Sequence, residues 1–482
     1  MVKIYSTLSR KKEILKPLDK ARGKKLRLFV CGVTVYDFSH LGHARTYIAF
    51  DMIVKYLRQK GYDIFYLQNV TDTDDKIIQR ANELGEDPKK LARRFEKEYR
   101  ADMKALGVSA VDAYARATDH IAEIIDQVRR LLKKGYAYEI EGDGIYFDIS
   151  KFKEYGKLSG RTTGQAKDAV SRIDESVSKR NKGDFALWKL DGSGDSPSTS
   201  LRAGTVPAWP SPWGAGRPGW HIEDTAITEK FFGPQYDIHG GAQDLIFPHH
   251  EAEITQMESV SGKKPFVKYW MHTGFLTVKG EKMSKSLGNF ITIRDFLEHH
   301  SPRLLRYFVL KTHYHSPIDY SAELLEQAQH ELDRIDNFVD RLQVKGQFIG
   351  SGESVLFVPA FKTHPQYFAE RMDDDFNIPS ALNFLFGLIE NTNKTLDKNR
   401  IKRKEARAII AWLREIDKFL GFIFWGREKR AVPAEIKKLA EQREAYRRQG
   451  DFQEADALRA AIQKRGWIIE DNPSGWKLKK LV

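Results

Sequence analysis

A short apolar run over residues 26–31 gives way to a polar, glycine-containing loop, then to a helical pattern over 44–59 that Gly61 closes, and then to a second apolar run at 62–70. Apolar runs of that length bounded by turns read as buried strands, and apolar residues at three- and four-residue spacing read as an amphipathic helix. Strand, loop, helix and strand in that order form a βαβ unit, so the chain is expected to build an α/β domain around a parallel sheet. Helical character resumes at Lys76 and continues to about residue 107, with a further helix at 118–135.

The stretch YAYEI-EGDG-IYFDI reads as a hairpin, because an acidic glycine turn separates two alternating apolar runs. It opens an inserted region expected over about 112–215. Within it, residues 191–206 are rich in Gly, Ser and Pro, the composition of a flexible surface insertion. The later segments YDIHGG and FVKYWMHTGFL are strand candidates that would return the chain to the first sheet. From Pro302 the pattern becomes helical, with amphipathic stretches at 321–345, 366–396 and 402–421 that predict an α-helical bundle. The expected division is therefore a Rossmann-like parallel-sheet domain over 1–300, a helical bundle over 301–425 and a small terminal module over 426–482. Lys and Arg outnumber Asp and Glu in that last segment by 14 to 9.

A chain of 482 residues is too long for one hydrophobic core, which agrees with several folding units. It has no apolar run of about 18 residues and no charged-then-apolar leader, so neither a membrane span nor a secretory signal is expected, and a cytoplasmic location is. The single cysteine, Cys31, cannot form an intramolecular disulfide, which leaves packing, metal ligation or reactivity as its roles. The net charge of +13, from 79 Lys+Arg against 66 Asp+Glu, favours polyanionic partners.

Three groups of residues carry chemistry. The loop CGVTVYDFSHLGHAR sets His40, Gly42 and His43 at the start of a helix, where the partial positive charge of the backbone favours phosphate. Two imidazoles can donate to a triphosphate while Gly42 lets a base or ribose approach the backbone. The plainer reading is a pair of surface histidines. Far downstream, GEKMSKSLGN sets Lys282 and Lys285 on a polar loop whose ammonium groups could close over phosphates, or simply stay solvated. Third, Cys31, His249 and Glu253 are all legitimate zinc donors, and the four-residue spacing of His249 and Glu253 puts them on one helical face. Their alternatives are an exposed helical contact and a small buried thiol.

Together HLGH and KMSKS resemble the paired signatures of class I aminoacyl-tRNA synthetases, with Leu41 where isoleucine is usual. The ordered blocks FVCGVTVYDFSHLGHAR, NVTDTDDKI, DFALWK, GRPGWHIED, DIHGGAQDLIFPHHEAE and EKMSKSLGN are similar to those of the cysteinyl-tRNA synthetase family, and the likeness extends to RRQGDFQEADALRAAIQKRGWIIED near the end. The resemblance implies activation of L-cysteine by ATP, with Mg²⁺, and transfer to tRNA(Cys) by a monomer. It implies phosphate contacts from His40, Gly42, His43, Lys282, Ser284 and Lys285. Gly32, Thr34, Thr71, Trp220 and Asp244 would line the amino-acid pocket, with Asp244 meeting the ammonium group. A zinc ion would be held by Cys31, Asp224, His249 and Glu253. Asp224 departs from the family pattern, which has cysteine there, and substitutes a hard oxygen for a soft sulfur. Two other readings remain open at this point: a cysteine:amino-sugar ligase of the mycothiol pathway, and a catalytically silent RNA-binding paralogue. The basic terminal module favours a tRNA acceptor over the first, and the intact loops disfavour the second.

Overall fold

The computed structural model describes residues 1–161, 178–191, 206–283, 288–347, 359–398, 400–427, 433–472 and 475–480. The chain divides into two compact units, Met1–Gly426 and Arg427–Val482. The first opens with an antiparallel hairpin, β1 (Lys3–Ser6) and β2 (Lys11–Ile14). The expected βαβ unit follows as β3 (Lys25–Thr34), α1 (Leu41–Gln59) and β4 (Asp63–Thr71), with β3 and β4 parallel.

In β3, Leu28 and Val30 enter one core with α1 residues such as Ile48 and Ile53, whereas Phe29 and Cys31 enter a second core with Trp188 and Trp270. That two-residue alternation is what a strand covered on both faces requires. The register against β4 shifts between Val30 and Val33. A Cβ on Gly32, inside that bulge, would lie 1.8 Å from the carbonyl oxygen of Asn69, so only glycine fits.

The helical stretch from 76 to about 107 is two helices, α2 (Asp75–Leu84) and α3 (Pro88–Ala105). Gly85 ends the first in the left-handed region and Pro88 starts the second, so the break follows from residue type. After β5 (Ala113–Arg116), parallel to β4, and α4 (Ile121–Lys133) comes the inserted antiparallel sheet. Its strands are β6 (Ala137–Ile140), β7 (Gly144–Phe147), β8 (Phe185–Leu190) and β9 (Gly216–Pro218), hydrogen-bonded in that order. Most of the 191–206 stretch lies outside the described residues.

Next come α5 (Ile222–Phe232), β10 (Tyr236–Ala242), α6 (Glu251–Ser261) and β11 (Val267–Thr273). The last two strands return to the first sheet, whose order is β11-β10-β3-β4-β5, all parallel. Strand order reverses between β3 and β10. Open α/β sheets place their ligands outside the carboxyl ends of the strands at such a point.

A small sheet follows, in the order β13 (Glu281–Lys282), β12 (Leu276–Val278) and β14 (Ile318–Tyr320). Helices α7 (Ile293–His299) and α8 (Pro302–Leu310) lie between β13 and β14 in sequence. The helical region comprises α9 (Ala322–Gln347), α10 (Pro359–Asp373), α11 (Ile378–Asp397) and α12 (Arg403–Leu420). The stretch 366–396 is thus two helices, because Asp375 and Phe376 adopt φ of 62° and 53° between them. The second unit packs α13 (Ala434–Gln449) and α14 (Phe452–Lys464) on a hairpin, β15 (Trp467–Asn472) and β16 (Gly475–Lys480). Its core is Ile436, Ala440, Ile462, Trp467 and Ile469. Among the described residues no helix is long and apolar enough to cross a membrane.

Candidate active site and metal centre

The carboxyl end of β3 delivers the chain to α1, and His40 caps that helix. Its Nδ1 accepts the backbone N–H of Gly42 at 3.1 Å, and the Nδ1 of His43 accepts the backbone N–H of His40 at 3.3 Å. The two rings stack with centroids 3.8 Å apart. With both Nδ1 atoms accepting, a neutral imidazole must carry its proton on Nε2. Loss of water around the His43 ring, then the neighbouring His40 and Lys76, holds its pKa well below the ordinary histidine value. At neutral pH it is therefore an uncharged donor. A Cβ on Gly42 would come within 2.8 Å of the His40 ring, which explains the glycine.

The downstream lysine loop leaves from β13, which ends at Lys282. Where the chain comes back, Leu41 donates its backbone N–H to Ile291 O at 3.1 Å, and Ile293 donates to Ser39 O at 2.8 Å. The Phe290 ring stands edge-on to His40 at 5.1 Å, and the Met283 methyl lies 3.6 Å from where a Cβ on Gly42 would sit. The backbone after the lysine loop therefore abuts HLGH, and before the loop the Met283 side chain reaches Gly42. Ser284 and Lys285 lie outside the described residues, and of Lys282 only the backbone is described.

Cys31, near the end of β3, converges with Asp224, His249 and Glu253, all four buried. The Cys31 thiol donates to Asp224 Oδ2 at 3.3 Å and lies 3.9 Å from Glu253 Oε1, and His249 Nε2 lies 3.0 Å from Asp224 Oδ2 and 3.3 Å from Glu253 Oε1. Ordinary zinc bond lengths give tetrahedral edges of about 3.4–3.6 Å between such donors. The four atoms are thus spaced to hold one metal, and Cys31 and Glu253 form a second such set with His239 and His250. His249 sits in a distorted turn, residues 246–250, directly before α6, so the i,i+4 relation to Glu253 survives although the helix proper starts at Glu251.

The electrostatics also call for a cation. Burial, then Asp224 and Glu253, push the Cys31 thiol well above its ordinary pKa. Glu223 and Glu253 are raised likewise by burial and then by Asp224. Oδ1 of Asp224 and Oε2 of Glu253 are buried without a hydrogen-bond partner. Three carboxyls and a thiol share this pocket, and among the described residues only imidazoles stand within ion-pair range of Asp224 and Glu253.

Residues 17–330 match the family described as tRNA synthetases class I (C) catalytic domain, and residues 367–424 match the DALR domain. A protein of Thermococcus kodakarensis named cysteine–tRNA ligase is 46% identical over 496 residues, covering all of both chains. The Thermococcus gammatolerans protein of the same name is 45% identical with the same coverage. The chain belongs to the class I cysteinyl-tRNA synthetase family. Methionyl-tRNA synthetase of Mycobacterium tuberculosis, solved with methionyl-adenylate, shares the fold at TM-score 0.56 and 18% identity, over 83% of this chain and 88% of that one.

In this chain the other sequence-derived candidates lie toward the same end of the sheet. Gly32 and Thr34 lie at the end of β3, and Thr71 at the end of β4 donates its hydroxyl to the buried Glu223. Trp220, partly exposed, stacks on His249 with centroids 4.3 Å apart. Asp244 is exposed on the turn Gln243–Leu245 after β10.

Sequence reasoning missed Glu223 and four histidines. His239 Nε2 and His250 Nε2 lie 3.3 and 3.1 Å from Cys31 Sγ. Their other nitrogens contact Tyr236 OH at 2.6 Å and His272 at 2.8 Å, and His221 contacts His249 at 2.8 Å. Burial depresses the pKa of His221, His239 and His250 far below the usual value, and that of His272 to about 3. The available signal was density: five of the 14 histidines fall between 221 and 272.

Proposed function

We propose that this enzyme joins L-cysteine to tRNA(Cys) at the expense of ATP, acting as a cytoplasmic monomer with one zinc ion and with Mg²⁺ accompanying the nucleotide. The support is the gathering of HLGH, both ends of the lysine loop and a buried donor set toward the carboxyl ends of the central parallel strands, where strand order reverses. A zinc ion held by Cys31, Asp224, His249 and Glu253 would act as a Lewis acid toward the substrate thiolate and so separate cysteine from serine.

The remaining work falls to the chain. Asp244 holds the α-ammonium, with Gly32, Thr34, Thr71 and Trp220 shaping the pocket around it. His40 and His43 donate through Nε2 to the triphosphate, Gly42 admits the nucleotide, and Lys282, Ser284 and Lys285 close over the phosphates. The cysteine carboxylate attacks the α-phosphorus, the bond to the β-phosphate oxygen breaks, and pyrophosphate leaves with the negative charge those donors stabilise. A terminal ribose hydroxyl of the tRNA then attacks the acyl carbon, losing its proton to solvent as AMP departs. No side-chain nucleophile takes part.

The match over 367–424 and the full-length likeness to cysteine–tRNA ligases favour tRNA over an amino sugar as acceptor. The test is cysteine-dependent pyrophosphate exchange and charging of tRNA(Cys) by the purified protein. Exchange without charging, together with transfer to an amino sugar, would overturn the tRNA reading, and absence of exchange would overturn both.

A further inference from the structure

Two residues after His43, α1 carries Arg45, which is fully buried. Its Nη1 donates to Val309 O at 3.1 Å, and its Nη2 to His313 O, Tyr314 O and Ser316 O at 2.7, 2.9 and 2.9 Å. Arg306, equally buried, has the Asp51 carboxylate at 2.7 Å. Arg45 has no carboxylate in ion-pair range among the described residues, its Nε is left without a hydrogen-bond partner, and burial alone lowers its pKa to about 9. An unneutralised buried guanidinium is costly, and its return here is one point that gathers four carbonyls from the end of α8 and the segment after it.

That segment leads to the lysine loop. Tyr314 O, one of the four carbonyls, also accepts the backbone N–H of Gly274 at 2.9 Å, and Ile318 donates to Phe275 O at 2.8 Å. Ile318–Tyr320 then pairs with Leu276–Val278, which pairs with Glu281–Lys282, the strand from which the loop departs. Asp319 braces the corner by accepting from Thr277 Oγ1 and from Gly280 N, both at 2.8 Å. The far side of the loop is already tied to HLGH through Leu41, Ser39 and the bridge between His40 and Thr292.

We propose that Arg45 is a positioning residue for adenylate formation: it fixes the outgoing strand of the lysine loop to the helix that carries His40 and His43, so that both ends of the loop are referenced to one phosphate site. The inference rests on the reading that Lys285 acts on ATP. Arg45→Lys keeps the charge but replaces the four-carbonyl fork with a single ammonium.

The experiment is a double-mutant cycle in pyrophosphate exchange, with Arg45→Lys, Lys285→Ala and the pair. Arg45→Lys is expected to lower kcat by about tenfold or more and to raise KM for ATP, with KM for cysteine changed less than about twofold. In the Lys285→Ala background the same substitution should cost less than about threefold, because the group it positions is gone. An equal fold loss in both backgrounds, or a parallel rise in KM for cysteine, would mean a general packing role and overturn the proposal. Should Arg45→Lys fail to fold, Asp319→Ala perturbs the same strand from a less buried position and must show the same dependence on Lys285. If Lys285→Ala alone is as fast as the parent, the lysine-loop reading falls and takes this inference with it.

Discussion

Asp224→Ala separates a ligating carboxylate from a bystander. The residue contributes one oxygen that forms two edges of the donor set, 3.3 Å to Cys31 Sγ and 3.0 Å to His249 Nε2. Losing a group that merely orients a ligand costs about 10–100-fold in metal affinity, so losing a donor outright should cost about 100-fold or more, or about 2.7 kcal/mol. At fixed free zinc, that much zinc-linked stabilisation disappears as well. The metal-free protein should move the other way. Asp224 raises the pKa of Cys31 and Glu253, so its removal relieves repulsion in the empty pocket. The assay is zinc content after dialysis against a calibrated chelator, paired with thermal melts with and without zinc. Parent protein should keep stoichiometric metal, Asp224→Ala should lose most of it, and the zinc-induced rise in Tm should shrink while the metal-free Tm holds or rises. Full zinc occupancy in Asp224→Ala under identical chelation would refute the assignment. Asp224→Cys, which restores a soft donor, should hold zinc at least as tightly as the parent.

Replacing one preorganised donor to a transition-state charge costs about 10²–10³ in kcat, so His43→Ala and Lys285→Ala should each slow pyrophosphate exchange by that order, and an unchanged rate in either removes that residue from the phosphate site. His43, His221, His239, His250 and His272 have depressed pKa values, so below about pH 6.5 the unfolded chain binds protons that the folded chain refuses. The raised Glu223 carboxyl opposes this over the same range, but five histidines outweigh one carboxyl, so stability of the zinc-loaded protein should fall as pH drops from 7.5 to about 5.5, and urea midpoints that are flat or rising toward acid would contradict it. Cys31 and Glu253 titrate high without metal, so zinc must displace protons, and its effect on Tm should grow with pH over the same range. Removing residues 427–482 should lower tRNA charging about tenfold or more while leaving cysteine-dependent exchange nearly intact. Equal losses in both assays would sink that division of labour.

What could be read from the sequence was what is local. HLGH sits directly after an apolar run, and the capping geometry of His40 and His43 involves residues two and three positions apart, so the site start was visible without tertiary information. The return of β10 and β11 to the first sheet was legible from two apolar strand candidates. The histidine array was not, because Cys31 meets His239 and His250 across 208 and 219 residues, and each histidine alone looks like a satisfied core residue. Glu223 was hidden for the same reason: its partner Thr71 is 152 residues away. The helix breaks at Gly85–Pro88 and at Asp375–Phe376 contrast in kind. The first is written in residue type, whereas the second depends on left-handed conformations at two residues that rarely adopt them.

The bulge in β3 explains how one ten-residue strand can lead both to the buried donor set and to the HLGH loop. Up to Cys31 the alternation is strict: Leu28 and Val30 face the core containing α1, and Phe29 and Cys31 face the core beneath the inserted sheet. Continued unbroken, it would send Val33 to the same side as Cys31. Instead Val33 and Val35 lie with Leu28 and Val30, so the faces exchange at Gly32, where the pairing with β4 also slips. Cys31 is thereby committed to the donor set on one face, while the chain beyond it leaves in register to reach His40 over α1. Any side chain at residue 32 would collide with Asn69 O, so a substitution there should disturb the Cys31 thiol and the HLGH loop together.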